Sequence, residues 1–332
     1  MDAESTNKLE ENVSEIILNE EMAIMLEQFK TECRLQGMGN NSTLSYASAM
    51  RIFMLFLMSK NKTPIEVEKD ILKSYIDYLL NQRKIAYRTL SYHFSALAAF
   101  YEWLLFDGKV KENPVQAVRK RYLKRYKNGE GMQQEGRKLI SVEQMAELVR
   151  SIVSVKERAI VVTLAKTGVR RNELISMDID DIDWEKMSIK LKPTAKRSNR
   201  LVFFDEETKR VLKDWMNMRR LYARSDSKAL FISQSGGRLN KNHVYDIVVS
   251  NAQRVGLHNP NSERLEDHFT PHCCRHWFTT HLRRAGMQRE HIQELRGDSR
   301  PDAIDIYYHI DPEDLRLAYL AFIPKLGLGS SR

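Results

Sequence analysis

The sequence predicts a mainly α-helical chain with a small antiparallel β-sheet, divided into two domains. Three observations predict this. Apolar residues recur at three and four positions along most of the chain, the period of a helix with one buried face. A single stretch, DIDWEKMSIKLKPTAKRSNRLVFF (Asp181 to Phe204), instead reads as short strands around turn residues. A basic, glycine-containing segment from Arg119 to Lys138 interrupts the apolar pattern of a 332-residue chain, a length that suits two cores.

Taken in order, residues 1–20 read as an acidic lead-in. Residues 21–116 form a helical domain of four or five helices. YASAMRIFMLFLMSK and LSYHFSALAAFYEWLLF carry the helical period, and Asn41, Ser42 and Thr43 offer N-cap chemistry before the first. Lys62-Thr63-Pro64 breaks the chain before DILKSYIDYLLNQRK, and Gly108 and Pro114 close the last helix. Arg88, Thr89, Ser91 and Tyr92 stand at a helix start, where side chains are placed to read a major groove. Residues 117–138 form a flexible basic linker. Six of the nine residues from Arg119 to Lys127 are Lys or Arg, among them Arg119, Lys120, Arg121, Lys124 and Arg125, with Tyr122 and Tyr126 interleaved. Each such charge laid near a phosphate releases counterions, so the density favours DNA contact over a merely solubilising role.

The second domain spans 139–324. Its pattern predicts helices at 141–152, 156–167, 205–222, 241–255, 271–285, 288–296, 301–310 and 312–321. The strands are DIDW, MSIKLKP and NRLVFF, with PTAKRSN as the turn between the last two. Residues 325–332 read as a flexible tail. The preceding DLRLAYLAFIPKL (Asp314 to Leu326) has an apolar face that suits a neighbouring subunit as well as its own domain.

Hydrophobic residues make up 42% and charged residues 29%, and no apolar run reaches the length of a membrane span. The acidic N-terminus lacks the basic start and apolar middle of a signal peptide, so the expected location is cytoplasmic. Three cysteines, Cys33, Cys273 and Cys274, fit a reducing compartment. The last two lie among His272, His276 and His281, but there is no Cys-x-x-Cys pair or HExxH, so no metal is expected. A net charge of +9 implies a polyanionic partner, most simply nucleic acid.

The candidates for chemistry lie in the second domain. In TGVRRNEL (Thr167 to Leu174), Thr-Gly stops one helix and starts another, which brings Arg170 and Arg171 to an end that attracts anions. Glu173 follows Arg170 by three and can orient its guanidinium. In TPHCCRHWFTTHL (Thr270 to Leu282), Thr270 and Pro271 open a helix. His272 and Arg275 then share a face near its start, while His276 points elsewhere and reads as structural. Lys196 sits in a turn where lysines are ordinarily just solvated. AIDIYYHID (Ala303 to Asp311) holds adjacent tyrosines, Tyr307 and Tyr308, on a helical pattern where a tyrosine is ordinarily a packing residue. Together the groups describe phosphoryl chemistry. Two arginines clamp a phosphodiester, a histidine moves a proton, a lysine protonates a leaving oxygen and a tyrosine attacks. Such a set needs neither metal nor nucleotide, and no Walker loop or GxGxxG is present, so no cofactor is expected.

In this order and spacing the chain resembles the tyrosine recombinases of the phage integrase family, close in style to archaeal integrases, from about Glu21 to Pro324. TGVRRNEL resembles the TGLRxxEL box, which implies Arg170 as the first catalytic arginine. TPHCCRHWFTTHL resembles PHxLRHxFATHL, which implies His272 and Arg275. IYYHI resembles IYxH, which implies Tyr307 as nucleophile and leaves Tyr308 at a variable position. The hairpin lysine corresponds to Lys196, with Lys192 and Arg197 as alternatives. ELRGDSR departs from the family's LGHS and sets Asp298 where a His or Trp stands. A carboxylate there cannot donate to phosphate but can orient Arg170, Arg275 or a basic neighbour by accepting from it. The resemblance implies a two-domain C-shaped clamp on double-stranded DNA, a 3′-phosphotyrosine intermediate and a homo-tetramer acting on two sites, in the cytoplasm with the nucleoid. Two other classes share parts of this pattern: a type IB topoisomerase, and a catalytically silent DNA-binding protein.

Overall fold

The computed structural model describes residues 17–123, 138–193, 201–224, 226–262, 264–298 and 310–328. The chain divides into two units, residues 1–134 and 135–332. In the first unit, Asn19 caps α1 (Glu20–Leu35) by accepting from the Met22 amide (2.9 Å), and Glu20 and Glu21 complement the helix dipole. Met22, Met25, Leu26, Phe29 and Cys33 form its buried stripe. α2 (Asn40–Ser59) starts earlier than its cap residues suggest. Gly39 is the N-cap, Asn41 and Ser42 fall inside the first turn, and Thr43 is buried with its hydroxyl donating to the Gly39 carbonyl. α3 (Lys69–Asp77) runs into a π-helical turn, Tyr78–Gln82. α4 (Tyr87–Phe106) is the central helix, with ten buried residues including Phe94, Phe100 and Trp103. Phe29 meets the Phe100 ring edge-on at 5.2 Å, and Phe53 meets Tyr75 at 4.8 Å, so aromatic packing dominates this core.

α5 (Pro114–Val118) follows, capped by Asn113, and continues as a π-helical turn over Arg119–Leu123. The basic segment was expected to be flexible linker from residue 117. Its first part is instead helical, because Val115, Val118 and Leu123 bury themselves in the first unit's core. Lys124 and Arg125 lie outside the described residues.

The second unit opens with α6 (Val142–Ser151), held by a capping box between Ser141 and Gln144. α7 (Val155–Thr167) is buried on every face from Ala159 to Thr167, and α9 (Glu206–Arg219) and α11 (Pro271–Arg284) pack against it. α8 (Arg171–Ser176) is short. The strands β1 (Ile182–Asp183), β2 (Ser188–Lys190) and β3 (Leu201–Phe203) form an antiparallel sheet in that order, with Ile189 opposite both Ile182 and Val202. All three are shorter than their sequence patterns. α10 (Lys241–Arg254), α12 (Arg289–Arg296) and α13 (Pro312–Phe322) complete the unit. The helix expected at 301–310 and the turn PTAKRSN lie mostly or wholly outside the described residues. The apolar face of α13 is buried in its own unit through Leu315 and Tyr319. The segment beyond residue 324, expected to be free, is anchored as far as Leu328 by Leu326 and Leu328 amides donating to Glu207 (2.9 Å each).

Candidate active site and nucleic-acid interface

The site in the second unit begins where α7 stops. Gly168 ends that helix at φ +63°, and a Cβ there would lie 2.4 Å from the Phe278 ring, so backbone conformation and space both demand glycine. The sharp exit brings Arg170 to the N-cap of α8. Its amide donates to Glu173 Oε2 (2.7 Å) and its Nη1 to Glu173 Oε1 (3.0 Å). Glu173 is only 2% exposed, so a buried carboxylate fixes a guanidinium that remains half-exposed.

Arg275 arrives from the second turn of α11 and is 4% exposed. Its Nη1 donates to the Gly168 carbonyl (2.6 Å), and Nη2 to the Arg296 carbonyl (2.9 Å) and Asp298 Oδ1 (3.1 Å). The same Asp298 oxygen accepts from Arg170 Nη2 at 3.3 Å. Arg296 Nε lies 2.9 Å from Asp298 Oδ2. One carboxylate therefore gathers three guanidiniums. Burial, helped by the charges of Arg170 and Arg296, pushes Arg275 down to about 10, which leaves it protonated at neutral pH. Asp298 reaches this position because Gly297 closes α12 in the left-handed region, at φ +62°.

Arg170, Glu173, His272 and Arg275 line one cleft of about 360 Å³, with Val169, Arg171, Asn172 and Pro271. His272, exposed in the first turn of α11, faces it without burial. His276 turns away, its Nδ1 3.2 Å from the Thr280 hydroxyl. Cys273 and Cys274 are buried free thiols, and burial pushes the Cys274 thiol far up. Among the described residues no three His, Cys, Asp or Glu side chains gather as metal ligands do.

Tyr307, Tyr308, Lys196 and Arg197 lie outside the described residues. Lys192 is engaged elsewhere. Its ammonium pairs with Asp181 (2.9 Å) and Asp178 (3.1 Å), and hydrogen bonds to these carboxylates raise its pKa, which makes it a poor proton donor. Sequence reasoning raised Asp298 as an acceptor for the arginines, but it missed Arg296 altogether. A lone arginine before a helix-ending glycine carries no signal of its own.

In the first unit, the start of α4 and the basic segment meet at a second cleft of about 690 Å³. Tyr87, Ser91, Gln116, Ala117, Arg119, Lys120 and Leu123 line it. The Tyr87 hydroxyl donates to the Leu123 carbonyl, and Arg119 Nη2 donates to Ser95 Oγ (3.3 Å). Arg88, Thr89, Lys120 and Arg121 are exposed. Ser91 from the start of α4 and Arg119 and Lys120 from the basic segment, candidates from separate stretches of sequence, thus line one cleft.

A family profile described as "Phage integrase family" matches residues 138–314, and one described as "Phage integrase, N-terminal SAM-like domain" matches residues 25–108. The tyrosine recombinase XerC of Bacillus subtilis (strain 168) is 27% identical over 304 residues, covering 90% of this chain and 88% of that protein. The tyrosine recombinase XerA of Saccharolobus solfataricus is 25% identical over 297 residues, covering 86% and 88%. The fold is shared with the Tn1549 transposon integrase in complex with transposon right end DNA, at a TM-score of 0.65 and 19% identity over 88% of this chain and 97% of that one. It is also shared with the XerH recombinase bound to difH, at a TM-score of 0.61 and 18% identity over 88% and 83%.

Proposed function

The chain belongs to the phage integrase family and is a tyrosine site-specific recombinase, and we propose that it cuts and rejoins double-stranded DNA in the Arg170–Arg275 cleft with Tyr307 as nucleophile. The observation that carries the site assignment is the single Asp298 oxygen shared by Arg170 and Arg275. It holds two guanidiniums from distant parts of the chain side by side, oriented before any substrate arrives. That is the preorganisation that stabilising a crowded, doubly charged phosphorane demands.

In the proposed reaction the Tyr307 oxygen bonds to the scissile phosphorus and the bond to the 5′ oxygen breaks. His272 assists the proton leaving the tyrosine, and Lys196 gives a proton to the departing 5′ oxygen. The product is a 3′-phosphotyrosine and a free 5′-hydroxyl. A partner strand's hydroxyl then attacks the phosphotyrosine and reseals the DNA. The phosphodiester energy is kept in the covalent link, so the cycle consumes no ATP. Exchanging four strands between two duplexes takes four nucleophiles, which supports a homo-tetramer on two sites, working in the cytoplasm with the nucleoid. Two proteins of the same fold, a transposon integrase in complex with transposon right end DNA and a recombinase bound to difH, support a duplex substrate.

Covalent trapping tests the reading. The protein is mixed, without metal or ATP, with a random-sequence library of nicked duplexes, and SDS-resistant adducts are sequenced. The expected result is adducts enriched for one motif, lost in Tyr307→Phe and kept in Tyr308→Phe. Adducts without a motif make the protein a topoisomerase. Tight binding with no adducts makes it a silent DNA-binding protein. Loss in Tyr308→Phe alone overturns the assignment of the nucleophile.

A further inference from the structure

The charges of the cleft are unevenly compensated. Arg170 pairs with Glu173 and Asp298, while Arg275 and Arg296 pair with Asp298. Arg171 lines the same cleft, yet among the described residues it makes no ion pair. Its guanidinium instead lies 5.7 Å over the ring of Tyr245, on the second turn of α10. An aromatic face restrains a guanidinium without satisfying its hydrogen-bond donors or neutralising its charge. Tyr245 is 38% exposed and Asn172, next to Arg171 in the chain and lining the cleft, is exposed, so this end of the cleft is open to a ligand. Among the described residues, four guanidiniums stand against two carboxylates here, and one scissile phosphodiester brings a single negative charge.

We propose that Arg171 is a second phosphate-binding residue, gripping the phosphate next to the scissile one and so fixing which phosphate enters between Arg170 and Arg275. Tyr245 is its positioning partner, holding the guanidinium at the cleft by its face. The proposal rests on the assignment of the Arg170–Arg275 cleft as the cleavage site. It adds a register-setting contact that two phosphate-clamping arginines alone do not supply, since every phosphate of a strand offers them the same oxygens.

The test places single neutral methylphosphonate linkages along the duplex recovered by trapping and measures binding and adduct formation for wild type, Arg171→Ala, Arg171→Lys and Tyr245→Phe. Wild type loses about tenfold in binding when the phosphate adjacent to the scissile one is neutralised, the size of one charge-assisted contact. Arg171→Ala loses about tenfold on unmodified DNA and is then indifferent to neutralisation at that one phosphate, while remaining sensitive elsewhere. Its slope of log affinity against log salt falls by about 0.9. Adducts of Arg171→Ala also spread to neighbouring phosphates. Arg171→Lys keeps the charge and recovers part of the affinity, and Tyr245→Phe keeps the ring and behaves as wild type. An Arg171→Ala protein that stays sensitive at every phosphate, or that binds and cleaves as wild type does, overturns the proposal. Binding is read without cleavage, so a failure of the nucleophile assignment does not mask the outcome. If Arg170→Ala keeps the wild-type sensitivity at every phosphate, the scissile one included, the cleft itself is misassigned.

Discussion

Asp298 accepts from Arg170 and Arg275 through one oxygen and lies against Arg296 with the other. Its carboxylate cannot donate to a phosphate, so its contribution is the spacing of the guanidiniums around it. Removing it leaves the arginines to repel one another across a site that is buried around Arg275. Asp298→Ala is therefore expected to slow adduct formation from the bound complex by about 10–100-fold, the size typical of losing an outer-shell orienting partner, with DNA affinity changed far less. Single-turnover trapping at saturating DNA measures this, and an unchanged rate removes Asp298 from the machinery. Much of this constellation was legible in the sequence. Arg170 and Glu173 sit three apart, and His272 and Arg275 share a helix face near a Thr-Pro start, so local periodicity was enough to pair them. That Asp298 accepts from the arginines was legible as well, but the part played by Arg296 was not, because its place is set by how the end of α12 packs beside α11 and the Gly168 turn.

At the scale of elements, the helices were readable wherever a cap and an apolar stripe agreed, as at Thr270-Pro271 for α11. The π-helical continuation of α5 was not readable. Lys and Arg dominate that stretch, and only the burial of Leu123 in a core formed by distant helices outweighs its look of a linker. Burial likewise decides the state of His93 on α4. Its Nδ1 is 3.0 Å from the Tyr75 hydroxyl of α3, and burial, reinforced by the nearby Arg83 charge, pushes its pKa down to about 4. The folded pKa lies below the ordinary value of 6.5, so above that pH the group is neutral in both states and contributes nothing. As pH falls from about 6.5 to about 4, the unfolded chain takes up a proton that the folded one refuses, and stability falls, by about 3 kcal/mol at most. Urea midpoints of the full chain at pH 7 and pH 5 are expected to fall further apart for wild type than for His93→Asn. Equal separation in the two proteins means that His93 is not the acid-sensitive group of this helix pair.

At the scale of the whole molecule, each unit has its own core and its own basic cleft, and in the second unit the segment from Pro324 to Leu328 is tied to the approach to the candidate site. Lys166, fully buried one turn before Arg170, donates to Asp205 (2.6 Å), Glu207 (2.7 Å) and the Pro324 carbonyl (2.6 Å). The Tyr319 hydroxyl of α13 donates to the Lys166 carbonyl (3.0 Å). Burial raises the Glu207 pKa, but the Leu326 amide and Lys166 together pull it below the usual range. The strap from Pro324 to Leu328 is thus held by the same ion cluster that anchors the end of α7. A buried cluster of this kind is costly to break from one side and cheap to replace whole, because a lone buried charge has nowhere to send its field. Lys166→Met alone strands two carboxylates and is expected to cost about 3–5 kcal/mol in urea unfolding. The triple variant Lys166→Met, Asp205→Asn, Glu207→Gln is expected to recover much of that loss. Because the cluster also fixes the turn that presents Arg170, Lys166→Met is expected to lower the rate of adduct formation even at temperatures where the chain stays folded, whereas the triple variant regains stability before it regains rate. If the single variant is as stable and as fast as wild type, the strap is passive packing, and the first arginine owes its position to the Gly168 turn, Glu173 and Asp298.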